Sequence, residues 1–127
     1  MFFIMYVLDT NAIIYFLKGD TDVSVFFRDI FQKDVPIYIS AVTEVELFSF
    51  QPLSQKEIEN IEEVLKTLVT IPVDSRLARL AGFLRRQHRL KIPDSVIAAT
   101  ALLTGSTLIT RNIRDFKYVS NLSIIAV

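Results

Sequence analysis

The chain of 127 residues has the length of one domain, which we place at residues 1–127, and 51% of its residues are hydrophobic. Its 14 basic and 14 acidic residues give a formal net charge of zero, so bulk charge does not indicate a protein that binds nucleic acid. It contains no cysteine, which excludes disulfides, thiolate nucleophiles and zinc–sulfur sites and fits the cytoplasmic localisation that we expect.

Strand and helix signals alternate along the chain. Residues 2–8 form a continuous apolar run, which is typical of a strand buried on both faces. The run is too short to cross a bilayer, so we expect no membrane segment there. Helices are predicted at residues 11–18, 22–33, 41–50, 54–67, 74–90 and 93–104, and further strands are predicted at residues 37–39, 69–73, 107–110 and 122–127.

Several helix ends carry local signals. Ser54 with Glu57 three positions later has the spacing of a capping box. Pro93 is a favoured first-turn residue, and Gly105 is typical of a helix C-terminus. The alternation of these helices with strands predicts an α/β fold, namely a three-layer α/β/α sandwich around a mainly parallel sheet.

Four acidic residues lie where such a sheet would bring them together, at the carboxyl ends of its strands. These residues are Asp9, Glu46, Asp94 and Asp115. Carboxylates that lie close together repel each other, and a divalent cation removes that conflict. Because the group contains no histidine or cysteine, its oxygen ligands suit Mg²⁺, with Mn²⁺ as a second candidate. The chemistry indicated is phosphodiester hydrolysis.

Each acid taken alone also has an ordinary structural explanation. Asp9 lies between a strand and a helix, which is a common position for an N-cap. Asp94 lies in the first turn of a helix, where a negative charge suits the helix dipole, and Asp115 lies in a polar turn. Glu46 differs, because apolar residues on both sides of it indicate a largely buried helix in which a carboxylate needs a partner.

Four short segments, taken together and in order, resemble the signature segments of PIN-domain ribonucleases, and in particular the VapC-type toxins of type II toxin–antitoxin pairs. The segments are Leu8-Asp9-Thr10-Asn11, Ser40 to Leu47, Pro93-Asp94 followed by Ile97 to Leu102, and Leu108 to Phe116. The resemblance covers the chain from end to end. It implies a PIN-like sandwich and a magnesium-dependent endoribonuclease that cleaves RNA. It also implies inhibition by a cognate antitoxin protein whose C-terminal segment lies over the active site.

The resemblance also implies roles for individual residues. Asp9, Glu46 and Asp94 would hold one or two Mg²⁺ ions. Many relatives have an aspartate where this chain has Asn112, so the fourth member of the site is either Asp115 or Asn112. We expect a further set of polar side chains to orient the metal ligands or the substrate phosphate by hydrogen bonds. This set is Thr10, Asn11, Thr110 and Asn112.

Other functions fit the sequence less well. A phosphatase with Asp9 as nucleophile would need a second aspartate two positions later, where this chain has Asn11. A phosphoacceptor receiver domain would need an acidic pair after the first strand, and only Val73-Asp74 offers an aspartate at the end of its third strand. The alternative that stays open is a degenerate PIN scaffold, which would bind RNA or protein without cleaving it.

Two further patterns concern partners. The stretch from residue 74 to residue 94 is rich in arginine, which suits contact with RNA phosphates and equally suits a solvated helix face. A mean hydropathy of +0.40 is high for a small domain and indicates a permanent partner surface. We expect a homodimer and an antitoxin groove near two early helices whose apolar side chains should be partly exposed. These side chains are Phe16, Val23, Phe26, Phe27, Ile30 and Phe31.

Overall fold

The computed structural model describes residues 4–127 and contains, in that range, five short strands and seven helices. The strands are β1 (Tyr6–Leu8), β2 (Ile37–Ser40), β3 (Val69–Ile71), β4 (Thr107–Thr110) and β5 (Ile124–Ala126). The helices are α1 (Thr10–Leu17), α2 (Thr21–Phe31), α3 (Ala41–Phe48), α4 (Gln55–Leu65), α5 (Ser75–His88), α6 (Ile92–Thr104) and α7 (Ile113–Phe116).

All five strands form one parallel sheet in the order β3-β2-β1-β4-β5. β1 is therefore central, with β2 on one side and β4 on the other. Because parallel strands end at the same edge of a sheet, the residues that follow β1, β2 and β4 lie side by side. The predicted α/β fold with a parallel central sheet is confirmed.

Side-chain alternation along the strands separates the core into two halves. Tyr6 and Leu8 of β1 belong to a cluster with α1, α2, α3 and α4, whereas Val7 between them belongs to a cluster with α5, α6 and α7. This is the period of two that a strand imposes. The sheet therefore has helices on both faces, and the residues of its inner strands are mostly apolar because neither face meets water.

The predicted local signals hold at several element ends. Ser54 and Glu57 form the capping box, with both hydrogen bonds at 3.1 Å. Gly105 ends α6 in the left-handed conformation, with φ of 64°. Strand β4 has the predicted bounds, but β1 is shorter than predicted, and residues 2 and 3 of that prediction lie outside the described residues. Within residues 4–127, no helix combines the length and the apolar character needed to cross a membrane.

Two expectations concern the surface, and one of them is wrong. Residues 112–115 were expected to form a turn, but Ile113–Phe116 form helix α7. The six apolar side chains of α1 and α2 that were expected to be partly exposed divide evenly, because Val23, Phe27 and Ile30 are fully buried and the other three are half-buried against them. Aromatic contacts explain this packing, since the Phe27 ring is stacked on the Phe16 ring at 4.9 Å between centroids.

Candidate active site

Asp9 occupies the junction between β1 and α1 at the carboxyl edge of the sheet. Its backbone has the extended conformation of an N-cap, but its side chain makes no capping hydrogen bond. The carboxylate instead accepts a hydrogen bond from the Thr110 hydroxyl, with Oγ1 and Oδ2 separated by 2.7 Å. Asp9 is 2% exposed. The N-cap explanation therefore does not account for the side chain, which points across the sheet toward the end of β4.

Glu46 lies in α3, the helix that follows β2. The Thr10 hydroxyl donates a hydrogen bond to Glu46 Oε1 at 2.7 Å and lies 3.0 Å from the Thr43 hydroxyl. The expectation of a largely buried helix is wrong, because Val45 is 67% exposed and only one face of α3 meets the core. Glu46 itself is half-buried. The hydrogen bond from Thr10 holds its carboxylate.

Asp94 reaches the same region from α6. Every residue from Ser95 to Ala101 is buried, and most of them are small. Small side chains allow this helix to lie close to its neighbours, and α6 contacts β1, β2, β4 and α3. The first turn of α6 is thus held against the edge where Asp9 and Glu46 lie, and the Asp94 side chain is half-buried there.

The remaining predicted residues lie farther out. Asn112 and Asp115 are exposed, the first directly before α7 and the second within it, and the segment Arg111–Asp115 lines an open cavity of about 450 Å³. The Asn112 backbone N–H donates a hydrogen bond to the Thr110 hydroxyl at 2.9 Å. This bond ties the segment to Thr110, whose hydroxyl donates to Asp9. Asn11 is exposed on the first turn of α1.

Burial and neighbouring acids shift the pKa values of two carboxyl groups in the site. Burial, above all, raises the pKa of Asp9 to about 6; the Thr110 hydrogen bond lowers it, and the charges of Asp94 and Glu46 raise it further. Burial raises the pKa of Asp94 as well, followed by the charges of Asp115 and Glu46. Asp9, Glu46 and Asp94 therefore form one electrostatically coupled group, and Asp115 joins it through Asp94.

The donor chemistry of this group fits a hard divalent cation. Within residues 4–127, salt bridges are formed by Lys66 with Glu63 and by Arg111 with Asp20, so none of the four candidate acids is neutralised by a basic side chain. Oxygen ligands with uncompensated negative charge are those that Mg²⁺ and Mn²⁺ prefer. In the same described range, however, no three acidic, histidine or cysteine side chains converge closely enough to hold a metal ion. The acids therefore lie in one region without forming a complete metal-binding site.

The chain matches a known domain family over most of its length. The family model of the PIN domain matches residues 6–122. The chain belongs to the PIN-domain family. Nucleases of this family with VapC-type sequences generally depend on a divalent metal.

Individual relatives of this PIN domain cover nearly its whole length. Ribonuclease VapC19 of Mycobacterium tuberculosis is 26% identical over 117 residues, which are 88% of this chain and 92% of that protein. Ribonuclease VapC2 of Rickettsia felis is 29% identical over 126 residues, covering 93% of this chain and 94% of that protein. The predicted resemblance to VapC-type proteins is confirmed.

Solved structures show the same PIN fold. A chain of a toxin–antitoxin complex from Klebsiella pneumoniae superposes with a TM-score of 0.79 at 26% identity, over 94% of this chain and 95% of that chain. The crystal structure of VapBC2 from Rickettsia felis bound to a promoter DNA fragment gives a TM-score of 0.84 at 22% identity, over 98% and 99% of the two chains.

Sequence reasoning missed one structural feature beside the site of this PIN domain. The Arg111 guanidinium forms two hydrogen bonds with the Asp20 carboxylate, at 2.9 and 3.1 Å, and its Nε donates to the Val127 carbonyl at 2.8 Å. It also lies 4.3 Å from the centroid of the Tyr15 ring. These contacts fix the segment that carries Thr110 and Asn112. No sequence signal points to this pair, because its members are 91 positions apart.

The raised pKa of Asp9 predicts how stability changes with pH. Because the pKa is about 6 in the folded protein and 3.8 ordinarily, the folded protein holds this proton at pH values where the unfolded chain has lost it. This contribution is fully present below pH 3.8 and is lost as the pH rises through about 6. Asp9→Asn keeps the shape and removes the charge. The variant should therefore become more stable than the wild type by up to about 3 kcal/mol near pH 7.

Urea unfolding in EDTA at several pH values between 4 and 7.5 measures this difference. Asp34→Asn, in the exposed loop between α2 and β2, is the matched control and should leave the difference from wild type independent of pH. If Asp9→Asn and the wild type lose stability in parallel over this range, Asp9 has an ordinary pKa and the electrostatic coupling is wrong.

The Arg111 contacts predict a coupled loss of thermal stability. Arg111→Lys keeps the charge but loses the two-point geometry with Asp20, so the melting temperature should fall. Asp20→Asn should lower it too, and the double variant should be little worse than either single one. Thermal unfolding of the four proteins forms a double-mutant cycle. Strictly additive losses would mean that the two side chains do not act together.

Proposed function

We propose that this protein is a metal-dependent endoribonuclease and the toxin of a toxin–antitoxin pair, acting in the cytoplasm. The observation that carries the proposal is the buried Asp9 carboxylate, whose pKa of about 6 reflects burial together with the charges of Asp94 and Glu46. Groups with strongly shifted pKa values cluster at catalytic sites. Relatives that match the chain over nearly its full length are named as VapC ribonucleases, which supports RNA as the substrate.

The cofactor we propose is Mg²⁺, with Mn²⁺ as a substitute. Asp9, Glu46 and Asp94 would hold it, directly or through water, and either Asp115 or Asn112 would be the fourth member of the site. When bound, the metal would activate a water molecule for attack on phosphorus and offset negative charge on the phosphoryl oxygens. Because no three of these side chains converge closely in the described residues, we infer that cation binding draws them together.

The residues around the acids set their orientation and protonation. Thr110 donates to Asp9 Oδ2, so a proton taken up by Asp9 resides on Oδ1 and leaves it as the pH rises through about 6. Thr10 holds Glu46 in the same way, at 2.7 Å. Asn11 and Asn112 are exposed beside the acids and offer amide groups to RNA phosphates.

Substitution of the acids should abolish cleavage and leave the fold intact. We expect Asp9→Asn, Glu46→Gln and Asp94→Asn each to reduce the cleavage of single-stranded RNA in Mg²⁺ by more than about 100-fold, since even outer-shell partners of metal ligands contribute 10- to 100-fold. Glu44→Gln is the matched control, because Glu44 lies two positions before Glu46 on α3. Circular dichroism establishes that each variant is folded.

The fourth member of the site follows from a direct comparison of Asn112→Ala with Asp115→Ala, in which the more damaging change identifies the residue. Full activity of Asp94→Asn would contradict the proposed site. If the wild type shows no cleavage in Mg²⁺ or Mn²⁺ and neither cation raises its melting temperature, the degenerate scaffold replaces the enzyme as the explanation.

A cognate antitoxin and a second copy of the chain are the proposed protein partners. An apolar cavity of about 310 Å³ between α1, α3 and α4 is suited to apolar side chains of an antitoxin peptide. The side chains that line it include Ile14, Leu17, Leu47, Phe50 and Leu53. Beside it, Val45 and Phe48 are 67% and 41% exposed and lie three positions apart on α3, which suits a symmetric contact between two copies.

The proposed homodimer predicts a concentration-dependent mass. Light scattering across a dilution series should give a dimer for the wild type and a monomer for Val45→Glu, because a buried charge would oppose the contact. Tyr118→Glu is the control, since Tyr118 is 74% exposed and follows α7, away from α3. A wild type that is monomeric at every concentration would rule out this contact, and the exposed face of α3 would then be left to the antitoxin.

A further inference from the structure

Helix α5 and the link to α6 carry a strong local charge. Residues 75–93 contain six basic side chains of arginine or lysine and no acidic one, although the whole chain is neutral. All six are exposed. They are Arg76, Arg79, Arg85, Arg86, Arg89 and Lys91. The sequence leaves two explanations for this charge, contact with RNA phosphates and a solvated helix face.

Within the described residues, no salt bridge neutralises the basic side chains of α5. Across residues 4–127, the basic side chains in salt bridges are Lys66 and Arg111, and neither belongs to α5. An exposed aromatic ring lies among the arginines, because Phe83 is 46% exposed. The Arg86 guanidinium lies 5.6 Å from the centroid of that ring. The ring and the guanidinium together present an aromatic and a cationic group to solvent.

Helical spacing places four of these side chains on one line. Positions 76, 79, 83 and 86 follow one another at intervals of three, four and three residues, which keeps them on one side of a helix. The opposite side of α5 carries the buried residues Leu77, Ala81 and Leu84. We call Arg76, Arg79, Phe83 and Arg86 the Arg–Phe stripe. At 1.5 Å per residue, the stripe is about 15 Å long.

The C-terminal end of α5 leads toward the candidate active site. Helix α5 ends at His88, and Asp94 follows six positions later in the first turn of α6. The two helices pack along each other. Lys91, between them, is close enough to Asp94 that its charge opposes the rise in the pKa of that group, which burial chiefly causes. A chain of phosphates that reaches Asp94 would therefore continue toward the basic end of α5.

We propose that the Arg–Phe stripe binds single-stranded RNA, with the arginines on phosphates and Phe83 stacked on a base. The inference rests on the proposed ribonuclease function and adds a substrate-binding surface to it. Single strands are the fitting class, because their unstacked bases are free to lie on aromatic rings and guanidinium planes, whereas duplex bases are not. The stripe reads no base edge, so it adds affinity without sequence preference.

Fluorescence anisotropy with a short, unstructured single-stranded RNA tests the stripe. The titrations are made in EDTA, so that the wild-type protein binds without cleaving. Stacking of one base is worth enough that Phe83→Ala should weaken binding about 5- to 100-fold. Phe83→Leu should bind RNA as weakly as Phe83→Ala does, and Phe83→Tyr should bind it with the affinity of the wild type. This result would show that RNA binding requires an aromatic ring at position 83 and not merely an apolar side chain.

A salt series separates the arginines from the ring. Arg79→Gln combined with Arg86→Gln removes two phosphate contacts, so the slope of log affinity against log salt should become shallower by about 1.4. Arg28→Gln, an exposed arginine on α2, should leave the slope unchanged. All these side chains are exposed, so the variants should fold, and melting temperatures verify this.

Two results would overturn the stripe. One is unchanged RNA affinity and salt slope in the stripe variants; the other is a change in oligomeric mass without a change in RNA affinity, which would make the stripe a protein interface. Cleavage by the wild type in Mg²⁺ is measured separately. If the wild type cleaves RNA and the stripe variants bind RNA normally, the RNA-binding role of the stripe is refuted and the ribonuclease function is not. A wild type that binds through the stripe but does not cleave supports the stripe and refutes the enzyme.

Discussion

The burial of the Asp9 carboxylate, with other carboxylates as its charged neighbours, is the constraint on which the site depends. An aspartate that is 2% exposed would ordinarily be neutralised by a basic neighbour, and Asp9 has Glu46 and Asp94 as its charged neighbours instead. The fold tolerates this arrangement because hydroxyl groups, and not cations, satisfy the oxygens. Thr110 holds Asp9 and Thr10 holds Glu46, each at 2.7 Å. Because a hydroxyl group carries no charge, these hydrogen bonds do not neutralise the negative charge that would attract a cation.

The rest of the fold delivers these groups to one edge of the sheet. β1 is central, so Asp9 directly follows a strand that is buried on both faces. Small residues in α6 carry Asp94 inward. The Arg111–Asp20 pair fastens the turn after β4 to the start of α2, which keeps Thr110 in register with Asp9. Stability of the scaffold thus offsets a local electrostatic cost, as is common at functional sites.

Much of the architecture could be predicted from the sequence because inner parallel strands are apolar runs and their helices carry cap signals. Strand β4, for example, has the predicted bounds. Helix α7 was missed because four residues are too few to show a helical period. The environment of Glu46 was misjudged because α3 is only eight residues long and buries one face, which leaves Val45 in solvent. The Arg111–Asp20 pair is a product of the tertiary fold alone, so only a structure reveals it.

The most direct test of the account is the titration of the side-chain carboxyl carbons by NMR, with and without Mg²⁺. In EDTA, one aspartate should titrate near pH 6, and its resonance should disappear in Asp9→Asn. Adding Mg²⁺ should lower that pKa, because a bound cation favours the charged carboxylate. An Asp9 that titrates at an ordinary value near 3.8, or whose pKa does not respond to Mg²⁺ or Mn²⁺, would contradict the claim that this edge of the sheet is a metal-dependent active site.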